Sequence, residues 1–218
     1  MLFRSNMDIS LGVLCRKKNL CVHRRKGCLL YTSINFELSQ GEILGIFGYS
    51  GCGKTSLAKV LSDFLPPICG TVLIDGSIHQ KNTFRKVQLI YQHPEKIMNP
   101  LWRMKEILEE SYIPDQKLLD TFGIKQEWME RYPIELSGGE LQRFSIIRAF
   151  HPKTKYLIAD EMTTMLDGIT QEFIWKKFLE IVKQRNLGLI VISHCLLYTS
   201  PIRSREEERS CRQPDVSL

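Results

Sequence analysis

An α/β fold built on a mostly parallel sheet is predicted by three observations in this 218-residue sequence. The apolar, strand-length run 43–47 passes directly into Gly48-Tyr49-Ser50-Gly51-Cys52-Gly53-Lys54-Thr55, and a helix-like stretch follows at 55–64. Two more apolar runs, 155–159 and 189–192, end in polar groups, Asp160-Glu161 and Ser193-His194. Between them Ile169, Phe173, Ile174, Phe178, Ile181 and Val182 recur at helical spacing, as expected for the core-facing stripe of a helix covering a parallel sheet.

Taken in order, residues 9–25 mix apolar and basic positions, and 32–38 alternate like a strand before a turn at Ser39-Gln40-Gly41. Together they predict a small N-terminal antiparallel β subdomain. The run 43–47 reads as a buried strand, and the helix at 55–64 stops at Pro66-Pro67. Residues 71–74 form a strand that turns at Asp75-Gly76. A further core strand at 87–91 delivers Gln92-His93-Pro94 to a strand end, where doubly wound sheets keep their ligands. From 99 to 150 the pattern changes to short helical pieces at 104–112, 116–122 and 139–150, which read as an inserted helical subdomain spanning about 93–150.

With 43% hydrophobic residues the chain can bury a real core as one lobed domain. The balance of 30 basic to 24 acidic residues fits a nucleotide or an acidic partner surface and is too weak to indicate nucleic acid. Seven cysteines are scattered with no C-x-x-C and no paired His/Cys spacing, which indicates neither zinc nor a redox pair and leaves reduced thiols as the expectation. No apolar run approaches the roughly 20 residues of a membrane helix, and the N-terminus lacks a secretion-signal pattern. The expectation is a soluble chain whose membrane link, if any, runs through a partner.

The pattern G-x-x-x-x-G-K-[ST] between strand and helix is a phosphate cradle of the P-loop type. Its glycines Gly48, Gly51 and Gly53 let backbone N–H groups, including those around Ser50, Cys52 and Ser56, close on phosphate oxygens, and the helix start adds a positive dipole end. Lys54 then reaches the β- and γ-phosphates, while the Thr55 hydroxyl ligates the Mg²⁺ that bridges them. Asp160, at the end of a buried strand, is placed to hold Mg²⁺ through its water shell, and Glu161, one residue on, to polarise an attacking water as general base. The approach to this pair, Tyr156 to Ala159, is apolar or aromatic, unlike a solvated turn.

With Gln92, Leu136-Ser137-Gly138-Gly139-Glu140, Asp160-Glu161, Met165-Leu166-Asp167 and His194 in this order, the chain resembles the ATP-binding cassette of ABC transporters over residues of about 9 to 194. Tyr91-Gln92-His93-Pro94 followed by Met98-Asn99-Pro100 is similar to the oligopeptide, dipeptide and nickel importer branch. The resemblance implies a P-loop NTPase core and ATP hydrolysis that powers solute import through separate membrane permease subunits, with an extracytoplasmic solute-binding protein engaged indirectly. It places the chain at the cytoplasmic face of the membrane. It assigns Gln92 to Mg²⁺ contact and sensing of the γ-phosphate, and His194 to a hydrogen bond on the same group. Ser137, Gly138 and Gly139 would form a second anion nest that binds ATP held by a second cassette in a head-to-tail homo- or heterodimer, with Asp167 helping to link the two sites.

The sequence departs from the family pattern in three places. The nearest candidate to stack on adenine is His23, beside Arg24 and Arg25, and Met162 stands where the family commonly has proline. Residues 195–218 show no periodicity, and Arg203 to Arg209 is a low-complexity charge cluster. The hexamer Cys-Leu-Leu-Tyr-Thr-Ser occurs at both 28–33 and 195–200. The two copies, with Leu2-Phe3-Arg4-Ser5, are expected to be translated adaptor sequence, which makes 195–218 a tail foreign to a longer, C-terminally truncated natural protein; a genuine strand at 28–33 is the alternative. Two other functions compete with the importer: a soluble cassette acting on ribosomes or DNA, which usually carries tandem cassettes or long coiled-coil insertions, and a truncated, inactive fragment.

Overall fold

The computed structural model describes residues 10–14 (as backbone), 34, 36–67, 70–78, 83–164 and 166–193. Both copies of the hexamer, Leu2 to Ser5, His23, Met165, His194 and the tail at 195–218 lie outside these residues.

Among the described residues, seven strands form two sheets. In the smaller one, β1 (Ser10–Leu14) lies between β2 (Glu37–Ser39) and β4 (Thr71–Ile74), antiparallel to both, with Leu11 opposite Leu38 on one side and Ile74 on the other. An antiparallel sheet near the N-terminus is expected from 9–25 and 32–38; β4 joins it as well, and residues 15–33 and 35 lie outside the described residues. Strand β4 ends where Asp75 and Gly76 both take positive φ, 54° and 73°, and Ile74 and Ser77 exchange two backbone hydrogen bonds. A tight turn with two left-handed residues matches the twist of an antiparallel ribbon.

The larger sheet contains β3 (Ile43–Phe47), β5 (Val87–Ile90), β6 (Tyr156–Asp160) and β7 (Gly188–Ser193), all parallel, in the order β3-β7-β6-β5. The α/β prediction with a parallel sheet therefore holds. Strands β6 and β7 are buried on both faces, and their side chains alternate between two apolar layers. Leu157, Ala159, Leu189 and Val191 face one cluster; Tyr156, Ile158, Ile190 and Ile192 face the other, together with α1 (Lys54–Leu61). The first cluster also takes in α2 (Met104–Ser111), α3 (Gln116–Thr121), α4 (Gly138–Ala149) and α5 (Gly168–Gln184). Between β5 and β6 the regular structure is helical, with short 3₁₀ helices at Pro94–Lys96, Gln126–Glu130 and Pro133–Glu135 among α2, α3 and α4.

Three expectations need correction. Strand β3 is not a buried strand: it borders the sheet, and Ile43 and Phe47 are exposed. Helix α1 ends at Leu61, before the prolines, because Asp63 turns left-handed at φ 59° and the amides of Phe64 and Leu65 fold back onto the Lys59 carbonyl. On α5 the buried stripe is Gln171, Ile174, Phe178, Ile181 and Val182, whereas Ile169 and Phe173 are exposed. At about 100° per residue, Phe173 and Ile169 point roughly 100° and 140° away from Ile174, outside the arc that faces the sheet.

Candidate functional site

Strands β3, β5, β6 and β7 all end on one edge of the parallel sheet. Phe47 pairs with Ser193, Asp160 with Ile192, and Ile90 with Ala159. The phosphate loop, Gln92 and Glu161 leave the sheet from that edge; His194 lies outside the described residues.

The loop is built around two left-handed glycines. Gly51 has φ 82° and Gly53, the N-cap of α1, has φ 98° and ψ 13°, a conformation that a side chain would strain. No side chain caps α1, so the first amides of that helix are presented by Gly53, Lys54, Thr55 and Ser56 rather than consumed by a capping oxygen. Its first turn carries no acidic residue that would repel an anion. Cys52 folds inward: a Cβ added at Gly48 would sit 2.7 Å from Cys52 Sγ, so a larger residue at 48 would push the Cys52 thiol aside. Lys54 is buried, and its Nζ donates to the carbonyls of Gly48 at 2.6 Å and Tyr49 at 3.1 Å. Ser50 and Thr55 are exposed and Ser56 is half-buried.

Asp160, the last residue of β6, is 4% exposed. Glu161 takes the left-handed conformation, φ 50°, and its amide donates to the Ile192 carbonyl at 3.1 Å. Its carbonyl accepts from both the amide of Thr164 (3.2 Å) and the Thr164 hydroxyl (3.1 Å). The same hydroxyl accepts from Gln92 Nε2 at 3.1 Å. The structure therefore ties Gln92 to Glu161. Behind them, buried Thr163 receives Gln171 Nε2 (2.8 Å) and Trp175 Nε1 (3.0 Å) on its hydroxyl.

The second predicted nest stands apart. Ser137 caps α4: its hydroxyl accepts from the Glu140 amide at 3.3 Å, and Glu140 Oε2 accepts from the Ser137 amide at 2.7 Å. This reciprocal box satisfies two amides, while space around Gly138 stays open. Ser137, Gly139 and Asp167 share the wall of a cavity of about 470 Å³ that no phosphate-loop residue lines. Asp167 caps α5 by accepting from the Thr170 amide at 3.0 Å, and hydrogen bonding from Thr170 holds its carboxyl below the usual carboxylate range. Lys125 and Arg143 also line this cavity, both near the Trp128 ring, at 5.5 and 6.0 Å from its centroid. Sequence reading missed both. Arg143 follows Gly139 by one helical turn on α4 and could have been placed on that face; Lys125 carries no such signal. Gln142, nearly fully buried, connects the two halves by donating to the Tyr91 carbonyl at 3.1 Å, one residue before Gln92.

The residues present fit a nucleotide and its metal. The loop offers unused helix amides and a lysine on one side. The Thr55 hydroxyl, the Gln92 amide oxygen and the Asp160 carboxylate are hard oxygen donors suited to Mg²⁺, which binds few protein groups and completes its shell with phosphates and water. Among the described residues no cluster of three His, Cys, Asp or Glu side chains offers a different metal cage.

The family model described as ABC transporter matches residues 31–164. The chain is 31% identical over 196 residues to the nickel import system ATP-binding protein NikE of Staphylococcus aureus, covering 82% of this chain and 79% of NikE. It is 31% identical to the di/tripeptide transport ATP-binding protein DppF of Pseudomonas aeruginosa (75% of this chain, 56% of DppF) and 30% identical to the oligopeptide transport ATP-binding protein OppF of Bacillus subtilis (79% and 63%). The chain spans little more than half the length of several peptide-transport relatives, 54% to 58%. Among solved structures, the fold matches the ATP-binding cassette MJ0796, in a dimeric post-hydrolysis state with ADP and Pi, at a TM-score of 0.70 and 21% identity over 86% of this chain and 88% of that one. A phosphate loop and a strand-end carboxylate pair on one sheet edge, a capped Ser-Gly-Gly nest apart from them, and a family match that spans both place this chain in the ABC transporter family, as an ATP-binding cassette.

Proposed function

We propose that the chain is the ATP-hydrolysing subunit of an importer of the peptide or nickel type, working as a homo- or heterodimer of cassettes beneath separate membrane permease subunits. The observation that carries this reading is the gathering of the phosphate loop, Asp160, Glu161 and Gln92 on one edge of the sheet. The relatives named for peptide and nickel transport support the branch, and the dimer of MJ0796 supports the pairing of cassettes. A solute-binding protein outside the membrane would deliver the cargo to the permease.

In this mechanism Lys54 leaves the Gly48 and Tyr49 carbonyls to meet the β- and γ-phosphates, and the α1 amides of 53–56 hold the phosphate oxygens. Mg²⁺, held by Thr55, Gln92 and Asp160, would neutralise charge developing between the β- and γ-phosphates. Glu161 accepts a proton from the attacking water, and His194 donates a hydrogen bond to the γ-phosphate. Ser137, Gly138 and Gly139 receive the γ-phosphate of the nucleotide on the opposite cassette, with Asp167 beside them. These differential contacts close the dimer, and their loss on hydrolysis opens it.

Steady-state hydrolysis of Mg-ATP by the purified chain, beside Lys54→Ala and Glu161→Gln, tests the chemistry: turnover in the parent alone supports it, and turnover in Glu161→Gln contradicts it. Co-purification with integral membrane subunits supports the importer. Recovery with ribosomes or DNA would replace it with a soluble cassette.

A further inference from the structure

We propose that Thr164 is a positioning residue whose hydroxyl fixes which end of the Gln92 amide faces the metal and the attacking water, while gripping the backbone of the general base Glu161. This rests on the functional reading above.

A threonine hydroxyl has one proton to give. Thr164 donates it to the Glu161 carbonyl, so toward Gln92 it can only accept. Gln92 must therefore present Nε2 to it, which it does at 3.1 Å across 72 positions of sequence. The opposite end of the planar amide, Oε1, is then the end left for a cation or a water, the one atom of that side chain able to ligate Mg²⁺. Without the hydroxyl, nothing in this contact distinguishes oxygen from nitrogen, and an amide turned over would offer N–H groups to a cation.

The grip on Glu161 is also specific. That residue holds a left-handed backbone that ordinary side chains avoid, and Thr164 fastens its carbonyl twice, through amide and hydroxyl. One side chain thus holds both the Gln92 amide and the backbone from which the Glu161 side chain springs. Thr164 itself is exposed, and its hydroxyl is not needed to fill the core.

The test compares Thr164→Val, close in shape but lacking the hydroxyl, with Thr164→Ser, which keeps it, in the full 218-residue chain. Mn²⁺ is titrated into each protein with a non-hydrolysable ATP analogue bound, and free Mn²⁺ is read by electron paramagnetic resonance. Metal affinity should fall roughly tenfold in Thr164→Val and return in Thr164→Ser, because partners that orient a ligand typically cost 10- to 100-fold when removed. Affinity for the metal-free analogue should stay unchanged. In hydrolysis, kcat should drop about tenfold or more while KM for ATP holds, as expected when only orientation is lost. Parent-like Mn²⁺ affinity and kcat in Thr164→Val, alongside an inactive Glu161→Gln, would overturn this proposal and leave the ATPase reading standing. Full turnover in Glu161→Gln, or no analogue binding by the parent, would overturn the ATPase reading itself and this proposal with it.

Discussion

Lys54 Nζ lies 2.6 Å from the Gly48 carbonyl oxygen, so the cation of the phosphate loop is held by the loop's own backbone. The charge is already over the cradle, and nucleotide has only to exchange neutral carbonyls for phosphate oxygens around it. Lys54→Ala should leave the fold intact and remove the nucleotide response. At 100 times its dissociation constant, Mg-ATP should stabilise the parent by about 2.7 kcal/mol, which at roughly 2–4 °C per kcal/mol is a clear rise in Tm. A matching rise in Lys54→Ala would show that nucleotide binds elsewhere.

Ser137 has two separable duties. As N-cap of α4 it accepts from the Glu140 amide, and Ser137→Ala should cost about 1 kcal/mol of stability, visible in urea unfolding. As part of the proposed second nest it should be dispensable for nucleotide binding by a single chain but required for nucleotide-driven pairing. Sedimentation of a Glu161→Gln background with ATP, with and without Ser137→Ala, separates the two; undiminished dimer would remove Ser137 from the interface.

Asp75 accepts from Lys86 at 2.6 Å and from Lys155 at 2.7 Å. Burial pushes its carboxyl up, but hydrogen bonds and charge from Lys155 and Lys86 outweigh this and hold it below the usual carboxylate range. Because its folded value lies below the unfolded one, its contribution to stability is present above about pH 4 and is lost as the pH falls through the folded value. Asp75→Asn should thus be less stable than the parent at pH 7 by about 2 kcal/mol, with a smaller gap at pH 3. Equal gaps at both pH values would mean that charge is not the cause.

Gly188 opens β7 against the ring of Tyr156, which is fully buried. An added Cβ would stand 2.5 Å from Tyr156 Cδ1 and 3.0 Å from the Ser39 carbonyl, with no flexible side-chain end to yield. Gly188→Ala should therefore destabilise by roughly 1–3 kcal/mol. Thermal unfolding within 0.5 kcal/mol of the parent would show that the strand shifts freely there.

The elements that could be read from sequence were those whose evidence is contiguous. The phosphate loop carries its own glycines and lysine, β6 and β7 are apolar runs ending in polar groups, and Leu136 to Glu140 is a contiguous motif. What could not be read depends on partners far away in the chain. Nothing in Thr163-Thr164 announces that one hydroxyl meets Gln171 and Trp175 while the next meets Gln92. Exposure of Ile43 and Phe47 follows from the order of strands, which local pattern does not encode, and exposure of Ile169 and Phe173 follows from how α5 is rotated on the sheet.

The order β3-β7-β6-β5 also governs how the molecule is made. Among the described residues, strand β7 comes last in sequence, yet it lies between β3 and β6 and forms the only hydrogen-bonded bridge between them. On the ribosome, β5 and β6 can zip together early, while β3 and its phosphate loop must wait, unsupported on that side, until residue 193 has cleared the exit tunnel. Such distant parallel pairing is slow and leaves apolar strands uncovered in the interval. A nascent chain halted within α5 would therefore hold a β5–β6 pair and an unpaired β3, a natural point for a chaperone to engage.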